Sequence, residues 1–411
     1  MFTRFSWLLG GVTLLSIGLL VACGGSHFSA SSDGLVVVPT QGAQLMQSFT
    51  FDLSNGHVST ISDPPGSGGV PTSVVLDPAG AFAYVILDNA TIASFAVNSD
   101  GRLAPSSSTP DLNHDQSQAT PVALAMDQSG KYLFVAEGLV TDPLETSEVV
   151  HAYAVSNGSL TLLPNTFTLP TTAVAPNFVA LAPTPVTFPA ATTTSTAACS
   201  AANYPTPTRE FLYATDSAND RVWEIEVDMA TGTLKNPGDF DNAQSFPSGS
   251  VPAGVAVDAC NRFVYVTNSN SNNLSAYSIC NGTQTSSQTC TDQDGTLVSV
   301  SGSPYTAANL PGPVVVDPFA NFVYVLDQGS FQISGYRISQ ISGELTALSP
   351  ATTATGSSPK SIAVRGDGNW IFVTNYGAAT VSQYALTPAS GVLTPQTPIT
   401  TDNNPWGVAV K

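Results

Sequence analysis

Residues 252–279 read PAGVAVDACNRFVYVTNSNSNNLSAYSI, and this stretch decides the fold. A small apolar run ends at Asp258, an aromatic run begins at Phe263, and a third run ends at Ile279. Large and small residues alternate in the aromatic run with the period of two that is typical of a β-strand. We therefore predict three antiparallel strands here and a fourth strand after a turn-forming glycine.

The same pattern recurs along the chain at a spacing that is typical of a repeat architecture. Full units begin at Pro71, Pro121, Pro176, Pro252, Pro311 and Pro359. Residues 35–61 match the last three strands of a unit, and the segment from Pro405 to Lys411 matches only a first strand. The sequence predicts an all-β fold, a single seven-bladed β-propeller of four-stranded antiparallel blades over residues 35–411. Pairing of the C-terminal strand with the N-terminal strands should close it.

Side-chain size along the repeat predicts how the blades pack. Second strands carry two large side chains two residues apart, such as Phe322 with Tyr324 and Trp370 with Phe372. Because side chains alternate across a strand, both members of a pair lie on one face, which we assign to packing between blades. First strands are small and apolar, and we expect them to line the central channel.

Two copies of the second strand carry a family resemblance. The motifs FVYVTN (residues 263–268) and WIFVTN (residues 370–375) resemble the YVTN repeat. The whole unit resembles the lactonase-like seven-bladed β-propellers, a group that includes 6-phosphogluconolactonase-type proteins. The resemblance covers roughly residues 35–411 and implies the propeller fold and lactone hydrolase activity. Its matching motifs are structural, so it places no active-site motif on particular residues.

The N-terminus has the composition of an export signal. Arg4 precedes an apolar stretch over residues 5–22 that is too short and wrongly flanked for a stable spanning helix, so residues 1–22 are predicted to be a signal peptide. Residues 20–23, LVAC, resemble a bacterial lipobox, which implies lipidation of Cys23. An uncleaved anchor or a plain secretory signal is the alternative. Residues 23–34 would form the lipidated cysteine and a flexible tether.

Composition limits the location and the partners. We expect an exported protein held in the bacterial cell envelope by its lipid anchor alone, at the outer membrane because Gly24 rather than Asp follows the cysteine. The formal net charge is −18, with 11 Lys and Arg and no basic run, which excludes nucleic-acid binding. We expect a monomer whose partner is an envelope protein, a glycan or a small molecule.

Four cysteines follow Cys23, and an even number in an exported chain suggests two disulfides. Cys280 and Cys290 lie in one connecting loop, whereas Cys199 and Cys260 lie in corresponding turns of neighbouring units. We predict the pairs Cys199–Cys260 and Cys280–Cys290, which non-reducing peptide mapping would test. Zinc spacing is absent, so no metal site is predicted.

A polar residue follows most second strands at one repeated position. These residues are Glu137, Asp216, Asn268, Asp327 and Asn375. In a propeller, the turns after second strands share one face with the loops between blades, so we predict a ligand-binding face formed by this set together with Trp406. The alternative is that Asn and Asp at this position only hold the turn through bonds to nearby backbone.

The sequence lacks the common catalytic motifs that were sought. The chain has no Gly-x-Ser-x-Gly elbow, no His-Glu-x-x-His and no phosphate-cradling glycine loop. His114, Arg221 and Lys360 are weak catalytic candidates, and no cofactor is expected beyond a possible divalent cation. Two functions remain open: a lipid-anchored envelope propeller that acts as a binding or scaffold module, and a lactone hydrolase resembling the 6-phosphogluconolactonase-type lactonases.

Overall fold

The computed structural model describes residues 33–106, 121–137, 150–164, 167, 178–185, 209–236, 244–280 and 294–411, with Asp33, Glu137 and Phe178 described by backbone alone. Within these ranges the regular structure consists of strands, which form seven antiparallel sheets. None of the described segments is a helix able to cross a membrane. The predicted signal peptide, Cys23 and most of the tether lie outside the described residues.

Each sheet is one blade, and its strands follow one another from the channel outwards. The chain enters with the outer three strands of blade 7, which are β1 (Asp33–Thr40), β2 (Leu45–Asp52) and β3 (Val58–Thr60). Blade 1 comprises β4 (Pro71–Leu76), β5 (Phe82–Leu87), β6 (Ile92–Val97) and β7 (Leu103–Pro105). Blade 2 comprises β8 (Pro121–Met126), β9 (Tyr132–Glu137), β10 (Val150–Ser156) and β11 (Ser159–Leu162).

Blades 3, 4 and 6 carry a second short segment against their third strand. Blade 3 comprises β12 (Phe178–Pro183), β13 (Glu210–Asp216), β14 (Arg221–Val227), β15 (Leu234–Lys235) and β16 (Gln244–Pro247). Blade 4 comprises β17 (Pro252–Val257), β18 (Phe263–Asn268), β19 (Asn273–Ile279), β20 (Leu297–Ser299) and β21 (Tyr305–Thr306). Blade 5 comprises β22 (Pro311–Val316), β23 (Phe322–Asp327), β24 (Gln332–Ile338) and β25 (Leu345–Ala354). Blade 6 comprises β26 (Pro359–Val364), β27 (Trp370–Asn375), β28 (Thr380–Leu386), β29 (Leu393–Pro395) and β30 (Ile399–Thr400).

The chain closes the ring at its C-terminus. The inner strand of blade 7 is β31 (Ala409–Val410), which pairs antiparallel with β1. Leu35 and Lys411 exchange two backbone hydrogen bonds of 3.1 and 2.9 Å beside this pairing. The seven inner strands contact one another in an unbroken circle. The predicted seven-bladed propeller and its closure by the C-terminal strand are therefore confirmed.

Two faces of the propeller differ in their turns. The lower face carries the turns between first and second strands, and in blades 1, 2, 4 and 5 an Asp caps the start of the second strand. In blade 4, Asp258 Oδ1 accepts from the backbone N–H groups of Arg262 (2.6 Å) and Phe263 (3.0 Å). The upper face carries the turns between second and third strands and the loops that lead into each inner strand.

Aromatic side chains of one blade pack against glycines of the next blade. The first large side chain of a second strand lies over the positive-φ glycine that precedes the outer strand of the next blade. The pairs are Phe82–Gly158, Tyr132–Gly232, Phe211–Gly295, Phe263–Gly343, Phe322–Gly391 and Trp370–Gly56. A Cβ added to any of these glycines would lie 2.2–2.7 Å from the ring. The face predicted to pack between blades does so through glycines that leave room for a ring.

Candidate functional site

The inner strands of blades 1–6 and the segment leading into β31 line a central cavity of about 280 Å³. Small, apolar and hydroxyl side chains cover most of its wall, as the size of the first-strand residues predicted. Lys360 is the only charged residue among the described residues that line it. Because Lys360 follows Pro359 at the start of β26, the charge lies at the upper mouth of the channel.

Lys360 is held against two aromatic rings. Its Nζ lies 4.9 Å from the centroid of the Trp406 ring and 5.7 Å from that of Tyr376. The two rings meet edge to face with centroids 5.6 Å apart. All three side chains are half-buried, so the ammonium group is partly desolvated by aromatic faces that attract cations. We call these three residues the Lys360 cluster.

The elements around the Lys360 cluster are fixed by the closure of the ring. Trp406 donates its backbone N–H to the carbonyl oxygen of Pro39 (3.0 Å), and its own carbonyl accepts from Thr374 Oγ1 (2.8 Å). Tyr376 follows Asn375 at the end of β27 and donates its backbone N–H to Ser358 (3.0 Å). Among the described residues Lys360 forms no ion pair, so its charge is available to an anionic group at the mouth.

Asn268 and Asn375 hold the loops between blades. Asn268 is fully buried; its Oδ1 accepts from the backbone N–H of Gly249 (3.0 Å), and its Nδ2 donates to Ser275 Oγ (2.9 Å). Asn375 is also buried and makes the equivalent bonds to Gly356 (3.0 Å) and Ser382 (2.9 Å). Each side chain ties the loop leading into its own blade to the third strand of that blade.

Asp216 and Asp327 are likewise fully buried. Asp216 accepts from Trp223 Nε1 (3.0 Å) within its own hairpin. Asp327 accepts from Ser334 Oγ (2.6 Å) and from the backbone N–H of Ala308 (3.2 Å), and burial raises its pKa to about 6. At these four positions the geometry supports the turn-holding alternative, because the side chains face the turn rather than solvent.

The remaining predicted site residues are dispersed. Arg221 is exposed at the start of β14, where its Nη1 donates to Ser245 Oγ (2.8 Å), and it does not line the channel. Glu137 is the last residue of β9, and the prediction about its side chain falls outside the described residues, as does His114. The structure brings Lys360 and Trp406 together and leaves Arg221 apart from them.

Only part of the cysteine and metal predictions concerns residues that the structure describes. Cys260 is buried in the lower-face turn before β18, and Cys280 directly follows β19. Cys199 and Cys290 lie outside the described residues, so both disulfide pairings stay predictions. In the described ranges, no group of three or more His, Cys, Asp or Glu side chains could hold a metal ion.

Two buried polar residues were missed by the sequence reasoning. Gln383 and Glu224 occupy the same position of the third strand in blades 6 and 3, opposite Phe372 and Tyr213. Both carry side-chain oxygens that are buried and accept no hydrogen bond within the described part of the chain. Aligning the third strands would have singled them out, because the other five blades have Ser, Ala or Gly there: Ser48, Ser94, Ala152, Ala276 and Gly335.

The fold defines a seven-bladed β-propeller, and part of the chain is similar to the lactonase family of such propellers. Residues 281–409 match the family model described as lactonase, 7-bladed beta-propeller, which confirms the resemblance found in the repeat. A comparison with curated proteins gives no match.

Solved structures match over nearly the whole chain. A putative 6-phosphogluconolactonase from Bacteroides fragilis is 16% identical with a TM-score of 0.67, covering 93% of this chain and 99% of that one. The periplasmic gluconolactonase PpgL from Pseudomonas aeruginosa is 18% identical with a TM-score of 0.64, covering 92% and 99%. Hydrazine synthase from Kuenenia stuttgartiensis is 11% identical with a TM-score of 0.52, covering 85% and 94%. Because proteins with such different names match at low identity, the similarity shows a shared fold. The activity must therefore be argued from the residues of the site.

Proposed function

We propose that this protein is a lactone hydrolase whose substrate binds at the upper mouth of the channel. The observation that carries the proposal is the Lys360 cluster, a partly desolvated ammonium flanked by Trp406 and Tyr376. The family match and the two lactonase-named structural neighbours support the same reaction class.

The cluster suits the charge that lactone hydrolysis creates. Water adds to the ring carbonyl carbon, the bond between that carbon and the ring oxygen breaks, and the ring oxygen takes up a proton to give a hydroxy acid. The tetrahedral intermediate carries an oxyanion and the product a carboxylate. Lys360 would stabilise both negative charges, while the rings of Trp406 and Tyr376 would pack against the C–H face of the substrate.

The channel favours a small, unphosphorylated lactone. Its volume of about 280 Å³ is just below the roughly 300–1,000 Å³ that small-molecule sites occupy, which suits one sugar ring. Binding a phosphate usually takes several positive or N–H donors, but Lys360 is the only basic residue among the described residues lining the channel. We therefore expect hydrolysis of an aldonolactone such as glucono-δ-lactone in preference to its 6-phosphate.

Replacing the cation tests this proposal. Lys360→Met removes the charge and keeps the length of the side chain, so kcat/KM for glucono-δ-lactone should fall by about 100-fold or more, as when an oxyanion donor is removed. A pH-stat assay, corrected for spontaneous hydrolysis, measures the rate. Lys131→Met is the matched control, because Lys131 is exposed beside the lower-face turn before β9. Equal rates for wild type and Lys360→Met would contradict the proposal.

A second candidate is a ligand-binding or scaffold module that does not turn its ligand over. The observation favouring it is that no carboxylate or imidazole lines the channel among the described residues, so a general base has not been located there. His114 remains the sequence-based candidate for that base. Calorimetry with a non-hydrolysable lactam analogue would separate the two functions, since a binding module takes up the lactam but leaves the lactone at its spontaneous rate.

We also propose that the protein works in the cell envelope, held there by lipid on Cys23. The support is the lipobox-like LVAC sequence at residues 20–23. Cys23→Ser should release the protein from the membrane fraction or block its processing, which fractionation and intact mass would show. Unchanged mass and unchanged fractionation would contradict the proposal.

A further inference from the structure

A second cavity lies outside the channel, at the seam between blade 6 and blade 7. It has a volume of about 670 Å³ and lies between the hairpin of β2 and β3 in blade 7 and the outer part of blade 6. Its lining residues are Asp52, Asn55, Gly56, His57, Val58, Thr60, Gln383, Gln396, Thr397, Pro398, Ile399 and Thr400. This volume is well within the roughly 300–1,000 Å³ of small-molecule sites.

The register of the repeat marks Gln383 as an exception at this seam. In five of the other six blades the equivalent residue is Ser, Ala or Gly, so the fold needs no long side chain there. In blade 5, the space beside Gly335 is taken by Leu348, whose Cδ1 lies 2.7 Å from the position of an added Cβ. At the equivalent place in blade 6 the space is left open as the seam cavity, and the residue is Gln383.

The bonding of Gln383 is incomplete. Its Nε2 donates to the carbonyl oxygen of Thr397 (2.7 Å), which holds the segment between β29 and β30 against the cavity. Its Oε1 is buried and accepts no hydrogen bond from any described residue, although the residue is only 4% exposed. A buried acceptor without a donor costs stability, and the fold would avoid that cost with the Ala or Ser used in other blades.

The other lining groups fit a ligand rich in hydroxyl groups. The Thr hydroxyls and the amide of Gln396 offer donors and acceptors, although Gln396 Nε2 also donates to Thr394 (3.2 Å). The Asn55 amide is already held in its hairpin, where Nδ2 donates to Asp52 (2.7 Å) and Oδ1 accepts from the His57 N–H (2.7 Å). Asp52 is kept ionised by the hydroxyl and backbone N–H of Ser54, which lower its pKa, and its carboxylate accepts from hydroxyl groups. No Lys or Arg is among the described residues that line the cavity, which disfavours phosphate or carboxylate ligands, as does the net charge of −18.

We propose that the seam cavity is a binding site for a neutral oligosaccharide, with Gln383 and Gln396 as its main amide contacts. This site is separate from the central channel, because the two cavities share no lining residue. The protein would thereby hold a glycan at its side while the channel acts on a small molecule. The proposal does not depend on the proposed lactone hydrolase activity.

Calorimetric titration of the full chain with maltotriose, cellotriose and chitotriose tests the site. We expect at least one of these neutral trisaccharides to bind, and Gln383→Ala and Gln396→Leu each to weaken that binding by about tenfold or more. Gln383→Ala should fold normally, since Ala152 and Ala276 occupy the same position in blades 2 and 4. Its melting temperature should equal or exceed that of the wild type, because the unmet acceptor is removed.

The control is Gln328→Ala. Gln328 also donates its Nε2 to a backbone oxygen, that of Pro359 (3.1 Å), but it lies at the upper face and lines neither cavity. Its loss should leave trisaccharide binding unchanged. Absence of binding by the wild type up to millimolar concentration would overturn the proposal. Unchanged affinity in Gln383→Ala together with a lower melting temperature would also overturn it, since that result assigns the glutamine a structural role alone.

Discussion

Glu224 is a carboxyl group buried between blades 3 and 4. Neither of its oxygens accepts a hydrogen bond from any described residue, and a Cβ on Gly295 of the next blade would lie 2.5 Å from its Oε1. Burial, with Asp294 and Glu226 as further causes, raises its pKa well above the ordinary carboxyl value, and Arg209 offsets this in part. The folded protein therefore holds this proton to a higher pH than an exposed carboxyl group would. Glu210, at the start of β13, behaves similarly: burial and Asp127 raise its pKa to about 8.

These two carboxyl groups predict how stability depends on pH. Between the ordinary carboxyl pKa of 4.5 and the raised value near 8, the folded protein keeps a proton that the unfolded chain has released. Stability therefore falls as pH rises through this window. We expect a higher melting temperature at pH 5 than at pH 8, and Glu224→Gln should reduce the difference by raising stability at pH 8, by about 1–3 kcal/mol. Melting curves followed by circular dichroism measure it.

Asp228→Asn is the control for this pH effect. Backbone N–H groups of Thr231 and Ala230 lower the pKa of Asp228, so its neutralisation removes a favourable contact and brings no gain at pH 8. If the stability of Glu224→Gln depends on pH as that of the wild type does, Glu224 is not the source of the stability lost between pH 5 and pH 8.

Residue-scale features were the least predictable from the sequence. The repeated position after the second strand was recognised, but its burial was not. Asn268 is covered in part by the loop carrying Gly249, 19 residues earlier, which folds over it. The sequence analysis named Lys360 as a catalytic candidate and Trp406 as part of the binding face. The cation–π geometry could not be predicted, because it depends on the closed ring that brings residues 360, 376 and 406 together.

At the scale of the element, each blade is a hairpin stack whose side chains reach into the next blade. Tyr213 donates its hydroxyl to the carbonyl oxygen of Gly295 (2.6 Å), and Tyr324 does the same to Gly391 (2.8 Å). The alternation of large residues predicted which face packs. It did not predict these hydroxyl–carbonyl bonds, because they depend on the distance between blades.

The ring-over-glycine contacts predict a sharp difference between two glycines. Gly343 has φ of 74°, and an added Cβ would lie 2.5 Å from Phe263. Gly343→Ala should therefore lower stability by about 1–3 kcal/mol through overpacking and backbone strain. Gly366 has no atom within 4 Å of an added Cβ, so Gly366→Ala should change stability by less than about 0.5 kcal/mol. Urea unfolding measures both, and equal midpoints would refute the packing role of Gly343.

At the scale of the whole molecule, the ring depends on one short strand. The sequence allowed this closure to be predicted because the first-strand fragment at the C-terminus and the three-strand fragment at the N-terminus complete one unit. Val36 and Val37 pair with Val410 and Ala409. Without that strand, β1 would be an unpaired sheet edge facing the channel.

Deletion of residues 405–411 should therefore unfold the protein or lower its melting temperature strongly, and the exposed edge should promote association. Thermal melting and size-exclusion chromatography report the two effects. Lys411→Ala keeps the strand and its backbone bonds, so it serves as the control. Melting of the deleted chain at the wild-type temperature would show that six blades hold without closure.

Both ends of the described chain lie at the lower face. Gly34 lies beside the carbonyl oxygen of Lys411, which also accepts from Arg365 Nε (3.0 Å) in a lower-face turn. The Lys360 cluster opens at the other face. A protein immobilised on a sensor chip through either end, by a biotin or a histidine tag, would thus present the channel mouth to the flowing solution. The same polarity would turn the mouth outward from any surface to which the N-terminal segment is attached.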